Sequence, residues 1–305
     1  MIRLTSLAGI AIISFSAIFV RLAEVSPTTA AFFRAAYAIP ALFLVWRVIH
    51  HRDRRDSRSR WLAFVSGTFL AIDLSFWHQA IAWIGAGLGT VLGNTQVVFV
   101  GVAAWVLHKE RPNQFALMTI PFVFLGVVLI SGLGDPGAYG TNPVGGVIYG
   151  ILTGLFFGGF ILVFRASNKG LAPVAGPLLD ATCGMAVGTL GASLFDSGFS
   201  IVPSWPAHGW LLAMALGSQV IGWLFISYAL PRLPALETSV QLLVQPMLTI
   251  LWGRLIFDEY LSTLQWMGAL LVLGGVGFLS IRGTVEKQVS GPVVPPTAVD
   301  VITIE

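Results

Sequence analysis

The chain has 305 residues, 56% of them apolar and only 10% charged, where a soluble domain carries roughly a quarter charged. So little charge cannot cover a water-facing surface of this size, which excludes a soluble globular protein. One cysteine excludes a disulfide framework and a Cys-rich metal site. The formal net charge of +3 would point to a nucleic-acid partner only if the basic residues shared one soluble face, and their placement contradicts that.

A membrane-spanning helix needs about 20 mostly apolar residues. Ten stretches qualify in chain order: 4–22, 28–48, 61–83, 87–107, 114–131, 144–164, 173–195, 208–230, 235–256 and 263–281. The chain therefore reads as an all-α integral membrane protein with the lipid bilayer as its surroundings. Met1–Arg3 and the apolar run behind it read as an uncleaved first helix, because no small-x-small cleavage site follows. The tail 283–305, with Pro292, Pro295 and Pro296, shows no helical period and is expected to be disordered. With the N-terminus in the cytoplasm, 14 of the 17 Lys and Arg face inside, including the run HHRDRRDSRSR at 50–60. Arg21 then sits at an outer border, with Glu24, Asp135, Asp196, Asp258 and Glu259 in outer segments. Both termini are placed inside. The basic run is a topology signal and implies no nucleic-acid partner.

Sliding the chain on itself by 149 residues lays 80–112 on 229–261 without a gap. Ala80, Ala86, Val91, Gln96 and Glu110 fall on Ala229, Ala235, Val240, Gln245 and Glu259. Phe76 also falls on Phe225. Five spans per half is an odd number, so a second copy enters from the opposite side. The turn HKERPN (108–113) is basic, while its counterpart FDEYLS (257–262) is acidic, as opposite faces require. The expected organisation is a first five-helix repeat at 1–143, an inverted second at 144–282, and the tail. Inverted repeats of this kind build transporters that bind solute near the midplane.

Ionisable groups within spans are costly and mark functional sites by default. Asp73 lies near mid-membrane in the third span, where it either exchanges a proton or accepts helix-packing hydrogen bonds. Arg34 either holds a substrate carboxylate through its planar fork, pairs structurally with Asp73, or anchors at the interface. Asp180 is a further carboxylate candidate, while Glu237 and Arg254 lie near span ends and snorkel. Gln241 and Gln245 share a face of the ninth span, and Pro246 leaves the carbonyl of Leu242 without its helical donor. Thr90 and Asn94 share a face in the fourth span, with Gln96 the repeat counterpart of Gln245. Trp77, His78 and Gln79 cluster in the third. In the eighth, Ser218, Gln219, Trp223, Ser227 and Tyr228 recur. Amides and aromatics with few fixed charges suit a zwitterionic or amphipathic small molecule better than a phosphorylated one, which wants convergent cations. The competing reading is interhelical hydrogen bonding. Gly146, Gly150, Gly154 and Gly158 form a close-packing stripe; a homo-oligomer face there is left open.

Enzyme signatures are weak. GLGD (132–135) falls in a loop without its partner motif, GASLF (191–195) lacks the closing glycine of a nucleophile elbow, and no H-E-x-x-H or P-loop occurs. No cofactor or metal is expected, and a primary ATP-driven pump is disfavoured. The runner-up readings are a non-transporting scaffold or sensor, and a membrane-embedded enzyme.

With five plus five spans, a fourth helix ending in Glu110-Arg111-Pro112 and a ninth ending in Asp258-Glu259, residues 1–282 resemble the EamA branch of the drug/metabolite transporter superfamily. Within it they are most similar to YddG-type amino-acid exporters. The resemblance implies a bacterial inner-membrane exporter with a central cavity between two four-helix cores and peripheral fifth and tenth spans; the inverted repeat and the polar-aromatic helix faces point to alternating access. Tyr260 stands where Arg111 stands in the first half, so the second turn reads as a structural cap.

Overall fold

The computed structural model describes residues 2–108, 114–132, 135, 137–168, 172–202, 204–229, 241, 242 and 244–290. The Glu110-Arg111-Pro112 turn, Glu237 and residues 291–305 lie outside them. Among the described residues every regular element is helical. In chain order they are α1 (Ile2–Ser14), α2 (Ser16–Ala23), α3 (Pro27–Ile49), α4 (Ser57–Gly93), α5 (Gln96–His108), α6 (Gln114–Ile130), α7 (Pro143–Asn168) and α8 (Ala175–Ala192). Then come α9 (Ala207–Met214), a π-helical segment (Ala215–Gly222), α10 (Trp223–Ala229), α11 (Val244–Phe257) and α12 (Thr263–Ser290).

Six described helical runs are long and apolar enough to cross a membrane: Ile2–Ala23, Pro27–Arg52, Ser57–Ala103, Pro143–Asn168, Ala175–Phe195 and Ala207–Tyr228. Three shorter apolar ones follow the same pattern at Ile120–Ile130, Val244–Phe257 and Thr263–Phe278. The last helix continues to Ser290, past residue 282, where the expected disordered tail was to begin.

Local chemistry sets the boundaries. Ser26 caps α3, its hydroxyl accepting from the Thr29 amide at 3.3 Å, with Pro27 at the first helical position. Asp56 caps α4, its carboxylate accepting from the Ser59 amide at 2.9 Å. The expected spans 61–83 and 87–107 are joined by a single non-helical residue, Gly85, at φ +84° and ψ 166°, a conformation essentially confined to glycine. In a continuous helix Ile81 and Gly89 would lie about 12 Å apart. Instead, a Cβ on Gly89 would come within 3.3 Å of the Ile81 backbone nitrogen. The chain therefore reverses at Gly85, and 57–84 and 86–93 are two arms of a helical hairpin.

Missing side chains let these arms pack. A Cβ on Gly67 would sit 1.9 Å from the Ala181 carbonyl oxygen, and one on Gly184 would sit 1.8 Å from that of Phe64. The first arm of α4 thus lies backbone to backbone on α8. The order of contacts, Phe64 with Gly184 and then Thr68 with Gly188, makes the two parallel. The glycine stripe of α7 receives Ile84 at Gly146, Leu92 at Gly150, Thr95 at Gly154 and Val100 at Gly158. It is a packing groove for the second arm and α5. α6 and α12 meet through Gly126 and Gly268, each of whose added Cβ would strike the other's carbonyl oxygen.

Candidate functional site

A cavity of about 340 Å³ lies between α1, α2, α3, α4, α5, α7, α10 and α11. Its wall is mainly apolar and aromatic. Phe157, Phe160 and Phe164 of α7 recur at helical spacing, and Trp223 meets Phe160 edge to face at 5.9 Å. Of the residues singled out in the sequence, Trp77, Thr90, Asn94 and Gln96 line it from the α4–α5 side, and Trp223 and Gln245 from the opposite side. Asp73 and Arg34 line it too.

The polar groups differ in how far they are already satisfied. Asn94 Nδ2 donates to the Thr90 carbonyl at 2.9 Å, and the Thr90 hydroxyl to that of Ala86 at 2.8 Å. Gln96 Oε1 is buried without a hydrogen-bond partner. Arg34, 4% exposed, donates from Nε to Gln219 Oε1 and from an Nη to Ser16 Oγ, both at 2.8 Å. Gln219 Nε2 in turn donates to the Thr182 hydroxyl at 3.3 Å. Gln219 belongs to the π-helical segment, a geometry that recurs at functional sites. Asp73 is also 4% exposed and lines the cavity; among the described residues its carboxylate makes no ion pair and accepts no side-chain or backbone hydrogen bond.

The other singled-out residues stand elsewhere. His78 Nδ1 bonds the Pro27 carbonyl at 3.0 Å, joining α4 to the start of α3. Gln79 and Ser227 are half-buried, Tyr228 is exposed and Gln241 is buried; none of them lines the cavity. Asp180 lies at the far end of the bundle, 2.9 Å from Arg55, whose guanidinium also grips Asp53 through two hydrogen bonds of 3.0 and 2.9 Å. The α7 phenylalanines, Ser16, Thr153 and the exposed Arg165 at the cavity mouth were not singled out from sequence. The phenylalanines recur at i, i+3 and i+7, a face legible in retrospect.

At the end carrying Gly85, a second polar cluster closes the bundle. Glu259, 3% exposed, pairs with Arg21 and accepts from the amides of Ala86 at 2.9 Å and Gly87 at 3.4 Å. Its carboxylate thereby caps the restarted helix, where two free N–H groups and the helix dipole favour an anion. Arg21 also donates to the Tyr139 hydroxyl at 3.2 Å and lies 4.2 Å from the centre of the Phe257 ring.

Residues 2–132 and 144–281 each match the EamA-like transporter family. The chain belongs to that family. An uncharacterized protein of Pseudomonas aeruginosa is 30% identical over 241 residues, 77% of this chain and 79% of that one. An uncharacterized transporter of Synechocystis is 23% identical over 265 residues, 81% of this chain and 77% of its own. A probable 4-amino-4-deoxy-L-arabinose-phosphoundecaprenol flippase subunit of Pseudomonas fluorescens is 37% identical over 70 residues, 23% of this chain and 59% of that one. A crystal structure of another protein shares the fold, with TM-score 0.61 and 14% identity over 92% of this chain and 98% of that one. The EamA-like match places the chain among membrane transporters.

Proposed function

We propose that this EamA-like transporter is a bacterial inner-membrane exporter of amino acids or similar zwitterionic small metabolites, of the YddG type, working by secondary or facilitated alternating access. The observation that carries the reading is the cavity: one buried carboxylate and one buried guanidinium set in an aromatic wall, with amides alongside. Such a site fits a small solute with a charged head and an apolar body. A phosphorylated or lipid-linked solute, as in the flippase relative's name, would want convergent cations; here Arg34 lies deep in the cavity beside Asp73, while the second cation, Arg165, is exposed at the mouth.

In this reading the chain has ten spans in two inverted five-helix repeats, 1–143 and 144–282, with both termini and the tail 283–305 cytoplasmic. Two separately matched segments support the duplication. The parallel course of the first α4 arm and α8, with α7 running parallel to the second arm, fits the alternation of ten spans. The Glu259 end then faces outside and is closed, while the Arg165 end faces the cytoplasm. Asp73, Arg34, Trp77, Thr90, Asn94, Gln96, Trp223 and Gln245 form the solute pathway. His78, Gln79, Ser227, Tyr228 and Gln241 stand beside it, and Asp180, paired with Arg55 at the bundle end, supports the helices that form it.

The test is flux in sealed liposomes. Purified protein is expected to move at least one labelled amino acid above the rate of empty liposomes. Absence of such flux across a full panel of amino acids would refute export of this class.

A further inference from the structure

Arg34 and Asp73 face one cavity from neighbouring helices, and each charge interacts with the other electrostatically. Yet they make no ion pair with one another. The reason lies in how Arg34 is held. Gln219, itself anchored on Thr182, and Ser16 take its Nε and one Nη, fixing the guanidinium on the α2 and π-segment side. A guanidinium has more N–H donors than these two acceptors use, so donors remain for a further acceptor. Asp73 has none of its acceptor capacity used among the described residues, although it is 4% exposed. A buried carboxylate without a donor is expensive, so a solute donor that reaches Asp73 in this cavity gains more than it would in water.

On the reading of the chain as a small-solute transporter, we propose that Asp73 seats the ammonium and Arg34 the carboxylate of the solute, making Asp73 the residue that selects zwitterions over carboxylates alone. An ammonium at Asp73 supplies the missing donors, and Trp77, one helical turn away on the same cavity wall, offers an aromatic ring that favours a cation. A carboxylate on Arg34 completes the fork. Arg165 adds a second cation at the mouth. Two cations and one carboxylate attract solutes that bear a carboxylate and disfavour simple amines. Asp73 then repels those that bring no ammonium. Bound zwitterion and pocket charges compensate pairwise, so loading does not leave a net buried charge at the Arg34–Asp73 pair.

The test uses the full chain in proteoliposomes, with labelled phenylalanine as the transported probe and three unlabelled competitors: phenylalanine, phenylalaninamide and N-acetylphenylalanine. Wild type is expected to be inhibited by phenylalanine at a concentration at least tenfold below that needed for either derivative. Asp73→Asn should lose that discrimination, with N-acetylphenylalanine competing for residual binding as well as phenylalanine does. Asp73→Glu should restore the wild-type order. Arg34→Gln should raise the relative potency of phenylalaninamide. Equal competition by the three compounds in wild type, or an unchanged order in Asp73→Asn, overturns the assignment while leaving transport intact. If wild type moves another amino acid and not phenylalanine, the same panel built on that amino acid decides in the same way. If it moves none, the transport reading falls and this one with it. Should Asp73→Asn fail to fold, the wild-type order of the three competitors decides alone.

Discussion

Two carboxylates at similar burial have opposite surroundings. Glu259 is saturated by Arg21 and two backbone amides, whereas Asp73 makes no ion pair or hydrogen bond among the described residues. A charge whose partners are all supplied by the fold is structural. A carboxylate that faces a cavity is open to a donor on a solute. Glu259→Gln should therefore lower stability by about 1.5–3 kcal/mol, the range for hydrogen bonds to a charged group. Asp73→Asn should leave the melting temperature in detergent unchanged or raised, because it removes a buried carboxylate that no donor satisfies among the described residues. Measuring both variants side by side by thermal unfolding checks the contrast. Gln245→Leu, at the cavity wall, should reduce flux per molecule more than it reduces expression.

The Asp53–Arg55 clamp gives a pH dependence. Burial acts to raise the Asp53 carboxyl, but the Arg55 hydrogen bonds and charge, with the Trp46 indole N–H, outweigh it and hold the group below the usual carboxylate value. A carboxyl depressed in the folded state contributes stability that is fully present above its unfolded value, about 3.9. That stability is lost as pH falls through the lower folded value. The difference in melting temperature between wild type and Asp53→Asn should stay constant from about pH 7 to about pH 5 and shrink below about pH 4.

At the scale of elements, closeness of backbones decides the packing. Gly67→Ala and Gly184→Ala would each drive a Cβ to within 2 Å of a carbonyl oxygen on the facing helix, so α4 and α8 must separate. Overpacking typically costs about 1–3 kcal/mol, occasionally more, and rigid backbone on the other side puts these two at the high end. Gly101→Ala and Gly191→Ala meet nothing within 4 Å and should be neutral or stabilising by up to about 1 kcal/mol through helix propensity. Yield of monodisperse protein and thermal unfolding separate the two pairs. Gly85→Ala combines an adverse φ with a Cβ 2.7 Å from the Glu259 carboxyl carbon. It should disturb the α4 hairpin and the cap together.

For the whole molecule, the two ends differ. One is closed by Arg21, Glu259, Tyr139 and Phe257; at the other, exposed Arg165 stands at the cavity mouth. In the proposed alternating-access cycle the Arg21–Glu259 contact breaks when the cavity opens the other way. In a Cys183→Ser background, a cysteine at Asn94 should react with a membrane-impermeant thiol reagent faster from the Arg165 side than from the Glu259 side. Adding Arg21→Gln should raise labelling from the Glu259 side several-fold. Equal rates from both sides in the parent would refute a single closed end.

The sequence by itself determined the solvent and the class of fold. Scarce charge and long apolar runs permit only helices in lipid, because each backbone group must be satisfied within its own segment. The glycine stripe of α7, the hairpin position near residue 85 and the cavity-facing Asn94 and Gln245 were all legible as period or spacing along one chain. What spacing cannot encode is which neighbour a polar group meets. Asp180 and Asp73 are both carboxylates within apolar text, yet α8 lies on the first arm of α4 so that Asp180 meets Arg55, while Asp73 faces the cavity. Arg34 is likewise turned from Asp73 to Gln219 by a π-helical register that no sequence period marks. Burial and Coulomb forces act through space between helices, so only the tertiary arrangement decided which charges became structure and which stayed open to a solute.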